Sequence, residues 1–136
     1  MTHPVSRPPA GAVFITFPGN CEKALTHYQS CFGGTLHFEL FTKKLPGHPR
    51  RPVVSGSLVS ARIVIHGSDM MHNEGRMLGN YIAVFLPCKD VVERQMLATK
   101  LAGRPDVVNS CPAAVSTPPV LVELVDIFDV RWVLAI

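Results

Sequence analysis

A helix start and a helix stop recur in this chain seventy residues apart, and that recurrence limits the fold more than any other feature. Asn20 and Asp90 suit the N-cap position, while Gly33 and Gly103 suit the residue that ends a helix. Between the first pair, Cys21, Ala24, Leu25, Tyr28, Cys31 and Phe32 recur at the spacing of one apolar helical face. Between the second pair, Val92, Met96, Leu97 and Leu101 supply the apolar side, and Glu93 stands three residues after Asp90, the capping-box distance. Strand-like Val13–Phe17 leads into the first cap and Tyr81–Leu86 into the second. Side-chain identities hardly repeat, so the match is one of punctuation. It predicts two βαβββ units, about 12–68 and 79–136, in an α+β fold whose curved mixed sheet surrounds a cleft.

The remaining segments fit this plan. Leu36, Phe38 and Leu40 alternate with His37 and Glu39 as in a half-buried strand. Val53–Leu58, Ser60–His66, Val107–Val108, Val115–Leu124 and Val130–Ile136 are further strand candidates. Prolines and glycines predict loops over Lys43–Pro52 and Gly67–Leu78. Met1–Gly11 is Pro-rich and aperiodic, so residues 1–11 are expected to form a tail and 12–136 a single domain.

Composition narrows the function classes. Thirteen basic and ten acidic residues leave a net charge of +3, too small to demand a polyanionic partner. No apolar run reaches the roughly 18–20 residues of a membrane span, and Met1-Thr2-His3-Pro4 lacks a signal peptide's apolar stretch, so a cytoplasmic chain that makes no membrane contact is expected. Cys21, Cys31, Cys88 and Cys111 form no C-x-x-C pair, and ten helical residues would hold the first two about 15 Å apart. Free thiols in a reducing compartment are the expectation. Lys43, Lys44, His48, Arg50 and Arg51 form the one basic cluster, with Phe41 as its nearest aromatic residue. A solvated loop or an anion contact fits that cluster, and nucleic acid is not expected.

The stretch Gly19-Asn20-Cys21-Glu22-Lys23-Ala24-Leu25, then Tyr28, then Cys31-Phe32-Gly33-Gly34, resembles the opening of the PhnB-like branch of the glyoxalase/bleomycin-resistance (vicinal oxygen chelate) superfamily. Gly67-Ser68-Asp69, Gly79-Asn80-Tyr81 and Asp126-Ile127-Phe128-Asp129-Val130-Arg131-Trp132 resemble later landmarks of that branch in the same order. The resemblance covers about Val13 to Ile136 and implies paired βαβββ units, a homodimer and a small-molecule ligand. Many superfamily members bind a divalent metal through His and Glu side chains. Carried over one at a time, those positions fall at Val13, Ser55, Ala83 (or Tyr81) and Val133. Aliphatic side chains cannot bind a metal, so neither metal nor cofactor is expected. The closing landmark departs from relatives at Asp129, where they carry Gly, and at Ile127, where Pro or Lys is common.

Without a G-x-S-x-G, P-loop or G-x-G-x-x-G motif, no catalytic residue is assigned. Phe14, Thr16, Tyr81, Trp132 and Val133 are the candidate ligand-binding residues, with ordinary core packing as the alternative for each. Strand alternation forbids Trp132 and Val133 from sharing a face, and the resemblance favours Val133 toward the cleft. His66, Asp69 and His72 have a spacing that a relocated metal site would need, against a plain reading as a strand end and a solvated loop. The functional expectation is a small-molecule-binding or sequestering domain. Lyase or isomerase chemistry, metal-free or through relocated ligands such as His66, is the alternative.

Overall fold

The computed structural model describes residues 11–42, 51–69, 78–103, 108–110 and 121–136. Most of the tail, Lys43–Arg50 of the basic cluster, His72 and Cys111 lie outside these residues.

Ten elements follow the expected order: β1 Val13–Thr16, α1 Cys21–Phe32, β2 Thr35–Leu40, β3 Val53–Val59, β4 Val64–Ser68, β5 Val84–Pro87, α2 Val91–Ala102, β6 Val108–Ser110, β7 Leu121–Val125 and β8 Arg131–Ala135. Both helices begin one residue after their predicted caps and end one before Gly33 and Gly103, keeping the offset of seventy. The strands form two four-stranded sheets with matching orders, β1-β4-β3-β2 and β5-β8-β7-β6. In each, the leading strand pairs parallel with the last strand of its own unit, and the other pairings are antiparallel. This is the predicted α+β arrangement of two βαβββ units.

Two strands start later than their sequences suggest. Ser60 to Ile63 forms the β3–β4 turn instead of opening a strand, because the Ser60 hydroxyl donates to the Ile63 carbonyl and accepts from the Ile63 N–H. Tyr81, Ile82 and Ala83 precede β5, with Tyr81 85% exposed. Ile63, Tyr81 and Ile82 are β-formers, but side-chain and turn contacts decide where pairing begins.

The caps also differ in chemistry. Asp90 behaves as predicted: its side chain accepts from the Glu93 N–H at 2.8 Å, and Glu93 accepts in return from Lys89 N–H at 2.8 Å. Asn20 occupies the N-cap position of α1 without making a side-chain cap bond. Asp69, at the end of β4, takes over that role. Its Oδ1 accepts from Cys21 N–H at 2.9 Å and Gly19 N–H at 3.1 Å, and its Oδ2 accepts from Val53 N–H at 2.9 Å. Asn20→Ala is therefore expected to cost well under the roughly 1 kcal/mol typical of a lost N-cap in chemical denaturation.

Close packing of α1 depends on two inward-facing glycines paired across β3 and β4. A Cβ on Gly56 would sit 3.0 Å from Leu25 and Phe38, and one on Gly67 would sit 2.9 Å from Phe17 and 3.1 Å from the Cys21 sulfur. α1 lies on β2, β3 and β4, while α2 lies on β7 and β8. α1 also reaches the second sheet, since Tyr28 and Phe32 both have ring centroids 5.6 Å from that of Trp132 on β8. The helices thus occupy the space between the helix-side faces of both sheets, and each sheet's other face looks outward.

Candidate functional site

Alternation along the strands assigns Phe14, Thr16, Trp132 and Val133 each to a side. In the first sheet, Phe14 on β1 pairs with His66 on β4, His66 with Ser57 on β3, and Ser57 with His37 on β2. Their neighbours Leu58 and Ile65 are fully buried, whereas Phe14 is 64% exposed and both histidines are exposed. This row lies on the outward face. In the second sheet the corresponding row is Phe85 on β5, Val133 on β8 and Glu123 on β7, with Phe85 60% exposed and Val133 half-buried. Phe14 and Phe85 hold equivalent places in the two units.

Four of the five predicted ligand-binding residues have side chains within reach of solvent. Phe14 and Thr16 share the outward face of the first sheet, Val133 is on the outward face of the second, and Tyr81 stands exposed before β5. Trp132 does not lie on a ligand-accessible surface. It is fully buried, and its indole N–H donates to Asp126 Oδ2 at 2.9 Å. The alternation in β8 that turns Val133 outward forces Trp132 inward.

Three of the outward positions carry side chains that cannot bind a divalent cation. Val13 packs against the core, leaving Phe14 as the outward residue of β1; Phe85 holds the matching place on β5 and Val133 faces outward on β8. None of these three offers a donor atom. Ser55 does face outward, opposite Glu39. Among the described residues, no three His, Cys, Asp or Glu side chains are close enough together to hold a metal ion. Of the His66, Asp69 and His72 spacing weighed as an alternative metal site, Asp69 is committed to three backbone N–H groups, while His66 points to solvent.

Sequence reasoning missed the joint at Asp126, which is 1% exposed. Its Oδ1 accepts from Phe128 N–H at 2.8 Å and Val130 N–H at 3.1 Å, and its Oδ2 accepts from Trp132 and from the Tyr28 hydroxyl at 2.6 Å. Burial, then the Asp126 charge and this hydrogen bond, push the Tyr28 hydroxyl well above its ordinary pKa, so it remains a donor. The same turn explains Asp129, whose φ of 69° is left-handed. Glycine enters that region without a Cβ penalty, which aspartate pays only in part. Asp129→Gly is expected to leave the unfolding free energy equal or raise it by up to about 1 kcal/mol in urea titration.

The three described cysteines are unbridged. Burial, then the carboxylates of Asp69 and Glu22, push the Cys21 thiol from 9.0 up to about 12, which removes it as a nucleophile at neutral pH. The native chain keeps this proton above pH 9 while the unfolded chain releases it. The resulting stabilisation is fully present below about pH 9 and is lost as pH rises toward about 12. Urea midpoints at pH 8 and 10.5 should show this loss, and Cys21→Ala should flatten it.

A hollow of about 720 Å³ opens where the leading edges of the two sheets approach each other, lined by Ala12, Ser60, Arg62, Ile63, Ile82 and Ala83 among others. None of the five predicted ligand-binding residues lines it. Arg62 there is held by Glu93 at 3.1 Å and by the Pro87 carbonyl at 2.8 Å.

No protein-family model and no curated protein matches the chain. Solved structures do. Protein PA1353 from Pseudomonas aeruginosa superimposes with a TM-score of 0.70 at 22% identity, over 93% of this chain and 97% of that one. The PhnB protein from Bacillus cereus gives 0.71 at 19% identity, over 93% and 98%. A gene product from Arabidopsis thaliana gives 0.56 at 17% identity, over 96% and 100%. No helix among the described residues is long and apolar enough to cross a membrane. With its two βαβββ units and its superposition on a PhnB protein over nearly their whole lengths, the chain has the glyoxalase-like fold that its opening motif implied.

Proposed function

We propose that this chain is a PhnB-like member of the glyoxalase/bleomycin-resistance superfamily that binds or sequesters a small, partly apolar molecule without the usual metal site. The observation that carries this reading is the pair of equivalent outward phenylalanines, Phe14 and Phe85, 64% and 60% exposed, which offer an apolar surface and no donor atom to a metal. Large exposed aromatic residues on a sheet face favour an apolar ligand surface. Tyr81 and Ile82, 85% and 69% exposed, extend the apolar area before β5 and support a homodimer in which a second copy covers part of it. The unbridged thiols support a cytoplasmic setting.

A thermal-shift screen over metals and small metabolites tests this reading, because a ligand specific to the native state raises its midpoint by mass action. The expected result is a rise with a partly apolar molecule, and no stoichiometric zinc, nickel, iron or manganese in protein purified without chelator. Near-equimolar metal that disappears in His66→Ala would favour the metal-dependent enzyme instead, since His66 is an exposed imidazole on the relevant face. Light scattering should report a dimer at micromolar concentration; a monomer would contradict the covered face.

A further inference from the structure

Two imidazoles and a hydroxyl stand in one register row with Phe14, and none of the three has a hydrogen bond or ion pair among the described residues. The row runs His37, Ser57, His66, Phe14 across β2, β3, β4 and β1. The histidines lie two strands apart, so their backbones are about 9–10 Å from each other. Side chains on a strand stand roughly perpendicular to the sheet, and serine is much shorter than histidine. The row therefore forms a notch with imidazole walls and the Ser57 hydroxyl as its floor. A carboxylate or phosphonate head fills that width with one N–H···O bond of about 2.8 Å on each side. A single metal ion, held about 2.0–2.1 Å from each nitrogen, would instead need both rings to lean in over the serine.

We propose that this notch binds the oxyanion head of a small molecule whose apolar body rests on Phe14. The proposal rests on the small-molecule reading above and adds the chemical class of the ligand. Each imidazole offers an N–H donor to an anion's oxygen, and the Ser57 hydroxyl adds a third donor between the two rings. Glu39, two residues along β2, is the other ionisable side chain that these four strands present on this face. Its charge opposes the anion, which therefore seats on the His66 side of the row.

Benzoate and benzyl alcohol test the proposal, since benzoate keeps one charge from pH 6 to pH 8 and benzyl alcohol is its neutral counterpart. With the full chain, benzoate should move the NMR imidazole signals of His37 and His66 saturably. His37→Gln and His66→Gln should each weaken benzoate binding about tenfold while circular dichroism shows the fold intact. Unmoved imidazole signals, or unchanged affinity in both variants, would overturn the proposal. If benzyl alcohol binds as well as benzoate, the anion notch fails and the small-molecule reading stands; if neither binds and no compound in the thermal-shift screen does, both fail.

Discussion

Asp126→Ala is expected to lose about 3–5 kcal/mol of unfolding free energy, enough to leave much of the chain unfolded at ordinary temperature. One carboxylate receives four donors from three places: the turn that precedes β8, β8 itself through Trp132, and α1 through Tyr28. Alanine would leave the indole N–H and the tyrosine hydroxyl without an acceptor in a fully buried site, and each such group costs about 1–3 kcal/mol. The bond to Tyr28 also joins the first βαβββ unit to the second, so docking of the units weakens together with the turn. Asp126→Asn should lose less, because its remaining oxygen still serves one pair of donors. Equilibrium urea denaturation followed by far-UV circular dichroism measures both; an alanine variant within 1 kcal/mol of the parent would show that the carboxylate is not the joint described.

Asp69→Ala should be nearly as damaging, at about 3 kcal/mol or more. Asp69 is 6% exposed and satisfies the first N–H of α1, the Gly19 N–H before it and the Val53 N–H at the start of β3. Neighbouring residues offer no substitute, since Asn20 makes no cap bond from the position where one would act. Removing Asp69 should therefore fray the N-terminus of α1 and the start of β3 together. Hydrogen exchange at Cys21 and Val53 measures this directly, with protection falling at both. A loss confined to one of them would contradict a shared anchor.

These two carboxylates also explain how much of the molecule was legible in its sequence. Gly19, Cys21, Ala24, Leu25, Tyr28, Asp69, Asp126 and Trp132 carried the family resemblance, and the structure places them in the core or at its joints. They specify how two βαβββ units are built and docked, which is why the fold could be read from them. The helix boundaries were legible because caps and stops act within a few residues of sequence. The cap bond from Asp69 to α1 was not, since it spans 48 residues.

The candidate site was only half legible for a related reason. A strand's period of two separates its faces without saying which one turns outward. At β1 the carried-over ligand position fell on Val13, yet Val13 packs inward and Phe14 is exposed. At β8 the same alternation put Trp132 and Val133 in conflict, and the buried contacts of Trp132 with Tyr28, Phe32 and Asp126 resolve it. The row of His37, Ser57 and His66 depends on register across three strands, and no local pattern contains that information.

Inward faces hold the structure while the outward faces are proposed to bind, and adjacent residues of β8 test this division most directly. Urea denaturation of Trp132→Ala and Val133→Lys, run side by side, compares a fully buried ring with a half-buried side chain that faces Glu123 across the strands. Trp132→Ala should lose about 3–5 kcal/mol, as for a buried large aromatic residue. Val133→Lys should stay within about 1 kcal/mol of the parent, because its ammonium reaches water and the Glu123 carboxylate. A stable Trp132→Ala protein beside an unfolded Val133→Lys protein would contradict the assignment of faces, and with it the surface on which the ligand is proposed to bind.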